Sequence, residues 1–206
     1  MTESSVYECF LQAEKNAFIW DYHLLSRILE ISRNTNKVPV IIKEQHTIDC
    51  YQEARKQFTS TEEMVLKNEF NYDIAKITVL APNRFPVTAS NCNHFVWWDR
   101  KGNEKDKEMR LSSSANNILS HFPFGHRLLI FRNPKVSRSV PSIYHLHVFA
   151  KRDMDVKDSK IDFLHEFEDE EFEEEFQEMY LQWIKLGDHA FYRSKSLRES
   201  NGKNKI

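Results

Sequence analysis

The sequence predicts an α+β protein built on a mostly antiparallel sheet, with helices before the sheet and a long acidic helix after it. Apolar residues recur at helical spacing through the first third of the chain. Four short segments rich in β-branched and aromatic residues follow, each bounded by turn residues. Aromatic residues then recur roughly every three to five positions toward the C-terminus. Strand candidates that lie this close together along the chain favour antiparallel pairing.

Helices are expected first. The first covers about residues 7–32, and the apolar positions that fit one of its faces are Phe18, Tyr22, Leu25, Ile28 and Leu29. A polar break follows at 33–36, and further helices are expected around 46–58 and 61–70. The last of these has a clear start signal, because Ser60 or Thr61 precedes two glutamates that favour the positive end of the helix dipole.

The middle of the chain supplies the sheet. Strands are predicted at 74–80, 94–100, 128–131 and 143–149, with a helix near 112–121. Adjacent residues of a strand face opposite sides of the sheet, so Trp97 and Trp98 must point apart. We expect one of them in the core, while the other packs or stacks on a base or sugar ring.

The last third is predicted to be helical. Its recurring large apolar positions are Phe163, Phe167, Phe172, Phe176, Met179, Tyr180 and Trp183. The acidic residues of 166–175 are expected on a solvated helix face, and the alternative is that this acidic, Phe-rich helix binds a protein partner. We expect a single α+β domain over residues 1–192 and a disordered basic tail over 193–206.

The composition excludes several classes of function. A formal net charge of −2 gives no reason to expect nucleic-acid binding. No segment reaches the roughly 18 apolar residues of a membrane span, and the N-terminus lacks the basic and apolar regions of a secretory signal. Three widely spaced cysteines cannot form a disulfide framework, which favours a cytoplasmic, and also a nuclear, location.

Glycine is scarce, which limits how a nucleotide could be held. The four glycines, at 102, 125, 187 and 202, form neither a dinucleotide-binding loop nor a phosphate-binding P-loop. A bound nucleotide must therefore be held by side chains and helix N-termini. No cofactor is expected.

The candidate site lies on the segment 143–149, where His145 and His147 stand one residue apart in an apolar run. Residues i and i+2 of a strand share a face, so both imidazoles should emerge side by side. They could be hydrogen-bonded structural residues, a nucleophile and its partner in phosphoryl chemistry, or metal ligands completed by His94 or His126. No Asp or Glu lies between Arg110 and Asp153, so the local sequence favours a metal least.

Basic residues surround this strand in the sequence. They are Arg127, Arg132, Lys135, Arg138, Lys151 and Arg152. Such surroundings suit a phosphate group, although a solvated rim of positive charge is the simpler interpretation.

The region from the third predicted strand to the fourth resembles the active-site region of the histidine-triad superfamily. The resemblance rests on the segments Leu128–Pro134, Ser139–Val140 and Tyr144–Arg152, with an earlier strand matched by His94–Trp98. It implies an α+β fold with a nucleotide phosphate over the histidine strand, where Asn133 and Ser139 contribute to ligand binding. The chain departs from the superfamily in having two of the three histidines and Pro134 in place of a glycine.

Two alignments with that superfamily stay open. In the preferred one, His145 takes the position of the nucleophile and His147 that of the third histidine, because a basic residue follows soon after. In the other, His147 is the nucleophile and Phe149 replaces the third histidine.

A second resemblance covers roughly residues 15–190. The elements Phe131–Pro134, Arg138–Pro141 and His145–Phe149, with earlier matches at Trp20, Leu24–Leu29, Tyr51 and Glu62–Met64, are similar to the fungal N-acetylglucosamine-induced protein family. That resemblance implies an intracellular fungal protein without an assigned activity, and it brings no catalytic residues.

Two hypotheses of function follow. In the first, His145 and His147 bind a nucleotide or sugar-nucleotide phosphate, with Asn133, Ser139, Arg132 and Lys151 as further ligand-binding residues. Hydrolysis or nucleotidyl transfer would then proceed through a histidine intermediate. In the second, the chain is a non-catalytic interaction module, as a homodimer or with another protein, through its C-terminal helix. The sequence leaves open whether the chain is an enzyme.

Overall fold

The computed structural model describes residues 20–35, 41, 43–101, 107–134 and 138–167. All of them belong to one of two compact units of the chain, Ile19–Glu168. The elements in chain order are α1 (Tyr22–Thr35), α2 (Gln45–Arg55), α3 (Thr61–Asn68), β1 (Thr78–Pro82), β2 (Asn93–Asp99), α4 (Lys107–Ser120), β3 (His126–Arg132), β4 (Tyr144–Arg152) and β5 (Lys160–Glu166).

The five strands form one sheet in the order β1-β2-β4-β3-β5. The pairs β1–β2, β2–β4 and β3–β4 are antiparallel, whereas β3 and β5 are parallel. The α+β class with a mostly antiparallel sheet is therefore confirmed. The histidine strand β4 lies at the centre, in keeping with its burial along nearly its whole length.

One face of the sheet packs against α4. The even-numbered positions of β4, Leu146 and Val148 among them, point to this side and join Ala115 and Ile118 of the helix in one core. Trp97 belongs to the same core, so it is the tryptophan of the adjacent pair that points to this side of the sheet. Trp98 lies on the other side.

The opposite face, which carries His145 and His147, is covered by the preceding helices. α1 lies against β5, where the hydroxyl of Tyr22 donates to Asp162 at 2.8 Å and Arg33 sits over the ring of Phe163. Residues of α3 and of the β3–β4 connection form a second cluster there, comprising Val65, Phe70, Val140 and Ile143 with Trp98 against it. The histidines thus lie between the sheet and a layer of helix and loop.

Most of the predicted elements are present with shifted ends. The helices expected at 46–58, 61–70 and 112–121 correspond to α2, α3 and α4, and the strand expected at 74–80 is found later, at Thr78–Pro82. The first helix begins at Tyr22 and continues through the expected polar break to Thr35. The predicted helix over 7–32 is therefore wrong at residues 20 and 21, where Trp20 forms a β-bridge with Ala89, and its expected start lies outside the described residues.

The prediction that the final helical segment includes Phe163 is wrong. Residues Lys160–Glu166 form strand β5 instead. Phe163 and Phe167 are four residues apart, which fits a helix, but Ile161 and Phe163 also fit the two-residue period of a strand. The segment forms a strand and not a helix because it pairs in parallel with β3, on the edge that β4 does not occupy. The rest of the predicted acidic helix, the interaction surface on it and the basic tail lie outside the described residues, as does part of the predicted 1–192 domain.

No helix within the described part of the chain is both long enough and apolar enough to cross a bilayer.

Candidate functional site

The two histidines of β4 lie side by side on the face of the sheet that α4 does not cover. Their ring centroids are 5.7 Å apart and the rings are nearly perpendicular. His145 is buried, with 2% of its surface exposed, whereas His147 is partly exposed. The shared face follows from the two-residue period of the strand.

The hydrogen bond of His145 fixes where its proton lies. Its Nδ1 is 2.9 Å from the carbonyl oxygen of Ile143, and a carbonyl can only accept. Nδ1 must therefore carry the hydrogen, which leaves the lone pair on Nε2. Burial lowers the pKa of His145 to about 4, so the ring is neutral at pH 7. Nε2 can act as a nucleophile, a base or a ligand.

His147 is held between two polar neighbours. Its Nδ1 lies 3.0 Å from Nε2 of His94 on β2, and its Nε2 lies 3.2 Å from the side-chain nitrogen of Asn133. Its ring stacks on Phe131, with 5.4 Å between centroids. Burial lowers the pKa of His147 well below 6.5, and nearby positive charge acts in the same direction.

His94 is a third histidine of the same cluster. Residue 94 pairs with Phe149 in the β2–β4 ladder, which places His94 diagonally across from His147. Its ring is buried, stacks on Phe149 at 4.1 Å between centroids, and accepts at Nδ1 from the backbone N–H of Val87 at 3.0 Å. The sequence indicated His94 only as a metal ligand. One feature of the sequence could have predicted that His94 faces the same side of the sheet as His145 and His147: its position in an apolar strand.

Lys43 and Arg138 are two cations near the cluster, and the charge of Arg132 also lowers the pKa of His145. Lys43, just before α2, lies close enough for its charge to lower the pKa of both His94 and His147. Burial lowers its own pKa to about 8. Arg138, in the β3–β4 connection, donates from Nε to the backbone carbonyl of Asn133 at 2.7 Å, and its charge contributes to the lowered pKa of His145. Sequence analysis missed Lys43, because it belongs to a connection far away in the chain and carries no local signal.

Of the predicted ligand-binding residues, Asn133 contacts a histidine of the cluster, whereas the described contacts of Ser139 are with other elements. Asn133 follows β3 directly and contacts His147, as described above. Ser139 connects the β3–β4 connection to α3 and α2. Its carbonyl accepts from the Thr61 hydroxyl at 2.9 Å, and its side chain hydrogen-bonds Tyr51 of α2.

The other two predicted residues are directed elsewhere. Arg132 has the strand parity of the α4 side, where its Nη1 lies 2.5 Å from a carboxylate oxygen of Glu166. Lys151 shares the histidine face but lies four residues beyond His147, a span of about 13 Å. Its ammonium is 3.4 Å from Nε2 of His23 and over the ring of Tyr22. Neither side chain contacts His145 or His147.

The side chains that the structure describes include no group of three or more His, Cys, Asp or Glu placed to hold a metal ion. In the histidine cluster, all four ring nitrogens of His94 and His147 contact polar atoms of the protein at 3.0 to 3.2 Å. One of these contacts joins the two rings to each other. The cluster is therefore arranged for hydrogen bonding among its own members.

Comparison with known proteins adds little. No family model matches the sequence, and no curated protein does. A solved structure, the crystal structure of HTC1, is similar, with 18% sequence identity and a TM-score of 0.47. The similarity covers 66% of this chain and 87% of that one. The resemblances to the N-acetylglucosamine-induced family and to the histidine-triad superfamily stay predictions.

Proposed function

We propose that the chain binds the phosphate of a nucleotide or sugar nucleotide over His145 and His147, and that Nε2 of His145 attacks the phosphorus. The observation that carries the proposal is the hydrogen bond from His145 Nδ1–H to the carbonyl of Ile143. It leaves the lone pair on the opposite nitrogen of a neutral ring, which is the form that a histidine nucleophile needs. Of the two alignments with the histidine-triad superfamily, this favours His145 as the nucleophile.

The charges around the cluster suit a phosphate. Lys43 and Arg138 supply two cations near neutral imidazoles, and two described carboxylates, those of Asp162 and Glu166, pair with Arg127 and Arg132. An anionic ligand would be attracted by the positive charge of Lys43 and Arg138. Asn133 adds a neutral group that can hydrogen-bond a phosphate oxygen.

The reaction would have two steps. Nε2 of His145 would form a bond to phosphorus while the bond from phosphorus to the leaving oxygen breaks and that oxygen takes up a proton from solvent. Water, for hydrolysis, or a second hydroxyl compound, for transfer, would then attack the same phosphorus and lose a proton to solvent. The bond from phosphorus to Nε2 breaks in this second step, which releases His145 as a neutral ring.

Binding is tested by thermal shift and calorimetry with AMP, ADP and a UDP-sugar. At a ligand concentration a hundred times the Kd, binding would stabilise the native chain by about 2.7 kcal/mol. We expect the ligand to raise the melting temperature of the wild type. It should leave the melting temperature of His145→Gln and of His147→Gln unchanged. His121→Gln is the matched control, because His121 is exposed and lies near Trp97 on the α4 side of the sheet.

Chemistry is tested separately from binding. Rapid acid-free quenching and mass spectrometry should detect a nucleotidyl adduct on His145 that His145→Gln lacks. A wild type that no compound of the panel stabilises would contradict the binding proposal. An unchanged shift in both site variants would place the ligand elsewhere. Binding without an adduct or turnover would restrict the proposal to recognition.

A further inference from the structure

A line of hydrogen bonds connects the backbone at Val87 with the side chain of Asn133 through two imidazoles. The N–H of Val87 lies 3.0 Å from Nδ1 of His94, and Nε2 of His94 lies 3.0 Å from Nδ1 of His147. Nε2 of His147 lies 3.2 Å from the amide of Asn133. One end of this line has a fixed direction, because a backbone N–H can only donate.

The direction of the first bond sets the direction of the others. Nδ1 of His94 accepts from Val87, so the single hydrogen of its neutral ring must be on Nε2. That hydrogen is donated to Nδ1 of His147, which in turn puts the hydrogen of His147 on Nε2. Both rings are neutral at pH 7, because burial lowers the pKa of each well below 6.5.

Asn83 also lies beside His94 and does not reverse this assignment. Its side-chain oxygen accepts from the N–H of Phe85 at 2.9 Å, so its nitrogen is the atom that faces the ring. That nitrogen is 3.4 Å from Nδ1 and 3.2 Å from Nε2 of His94. It is thus nearly equidistant from both ring nitrogens. If Nε2 accepted from Asn83, the neutral ring of His94 would have two acceptors and no hydrogen.

We infer that His94 is a positioning residue that holds His147 in the Nε2–H tautomer, opposite to the Nδ1–H tautomer of His145. The two neighbouring rings of β4 then differ in role. His145 presents an acceptor or nucleophile at Nε2, and His147 presents a donor at Nε2. In the structure the side-chain nitrogen of Asn133 faces this donor. The assignment therefore requires a half-turn of the amide, which leaves the shape of the side chain unchanged and brings its carbonyl oxygen to His147.

This pair defines the chemistry of the ligand, and that consequence rests on the proposed function. A fitting ligand brings an electrophilic atom to His145 and, on the same group, an oxygen that accepts from His147. A phosphoryl group has both. A divalent metal held by both Nε2 atoms would instead require the hydrogen of His147 to move to Nδ1, which then can no longer accept from His94.

The tautomers can be read directly by long-range ¹H–¹⁵N correlation spectra of the full chain labelled at histidine, recorded without ligand. Signals are assigned by their loss in single His→Gln variants. We expect Nε2–H for His94 and His147, and Nδ1–H for His145. His94→Phe keeps a ring on Phe149 but removes both nitrogens, so His147 should become a mixture of tautomers while His145 stays unchanged. In His94→Gln, the side-chain amide N–H lies about as far from the backbone as Nε2 of histidine. This variant should therefore keep His147 in the Nε2–H form.

An Nδ1–H signal for His147 in the wild type would overturn the inference, and this result needs no folded variant. So would a pure Nε2–H signal in folded His94→Phe. Because no ligand is present, failure of the nucleotide panel would leave the tautomer assignment standing. Binding of the panel by a wild type with Nδ1–H at His147 would instead leave the proposed function standing without the role of His94.

Discussion

A single buried imidazole ties the stability of this protein to pH. His145 is 2% exposed, and burial lowers its pKa from 6.5 to about 4. The unfolded chain therefore binds a proton at this residue at a higher pH than the native chain does. The stabilisation is complete above the unfolded pKa and is lost as the pH falls from about 6.5 toward 4. His94 and His147 act in the same direction, since burial lowers their pKa as well.

We predict that His145→Gln makes the free energy of unfolding less dependent on pH. A shift from 6.5 to about 4 corresponds to about 3 kcal/mol of stability between pH 7 and pH 4. Urea unfolding of the wild type and the variant at pH 7, 6 and 5 measures the difference. The exposed His121 supplies the control His121→Gln, which should keep the slope of the wild type. Parallel slopes for His145→Gln and the wild type would contradict the prediction.

At the residue scale, the sequence was sufficient for the shared face of His145 and His147 but not for their different roles. The face follows from strand period alone. The roles depend on the carbonyl of Ile143 and on Nε2 of His94, and these partners depend on strand register and side-chain rotation. Arg132 lies near the histidines in sequence, which suggested a phosphate ligand, whereas its strand parity directs its side chain to Glu166.

Among the elements, α3 begins at the position that its sequence predicts. The hydroxyl of Ser60 accepts from the N–H of Glu63 at 3.0 Å, which confirms Ser60 rather than Thr61 as the N-cap. The carboxylate of Glu63 reaches back to the N–H of Thr59 at 2.8 Å. This short helix packs Met64 and Val65 inward, near the cluster that covers Trp98.

We predict that Ser60→Ala lowers the free energy of unfolding by about 1 kcal/mol, because an N–H of the first turn of α3 loses its acceptor. Ser112→Ala is the comparison, since Ser112 is exposed within α4 and alanine favours a helix interior. Chemical denaturation of both variants gives the two values. Equal stabilities for the two variants would count against the cap.

β5 is an element that local sequence could not identify as a strand. Helices α2, α3 and α4 have start signals or a clear period, so local sequence was enough to place them. The sequence of β5 fits both periods, and its state is decided by a partner strand more than 25 residues earlier in the chain. Local patterns contain no information about such a partner.

For the whole molecule, one carboxylate connects three elements on the α4 side of the sheet. Glu166 of β5 pairs with Arg132 of β3 at 2.5 Å and with Arg110 of α4 at 3.3 Å. Both guanidinium carbons lie 4.3 Å from the centre of the Tyr144 ring, and the Tyr144 hydroxyl lies 3.4 Å from the carboxylate. All four groups are largely withdrawn from water, and this acid compensates the charge of both cations.

We predict that Glu166→Gln lowers the free energy of unfolding by about 3 to 5 kcal/mol, because two buried guanidinium groups lose their shared carboxylate. Glu53→Gln offers a matched change on the surface, where Glu53 and Lys56 form a pair with both side chains at least 70% exposed. That variant should lose less than about 1 kcal/mol. Thermal and urea unfolding of both proteins give the comparison. Similar losses in the two would show that burial of the acid is not what matters.

The central place of β4 has a consequence for how the chain folds during its synthesis. β4 pairs with β2 on one side and with β3 on the other, although the ribosome makes it after both. At about 5–20 residues per second, β2 leaves the ribosome on the order of several seconds before β4 can join it. Until then, both earlier strands have an unpaired edge, the kind of surface that templates aggregation. The nascent chain thus passes through a period in which protection by chaperones would matter most. For β2 this period ends when residue 152 emerges, whereas β3 keeps one unpaired edge until β5 follows.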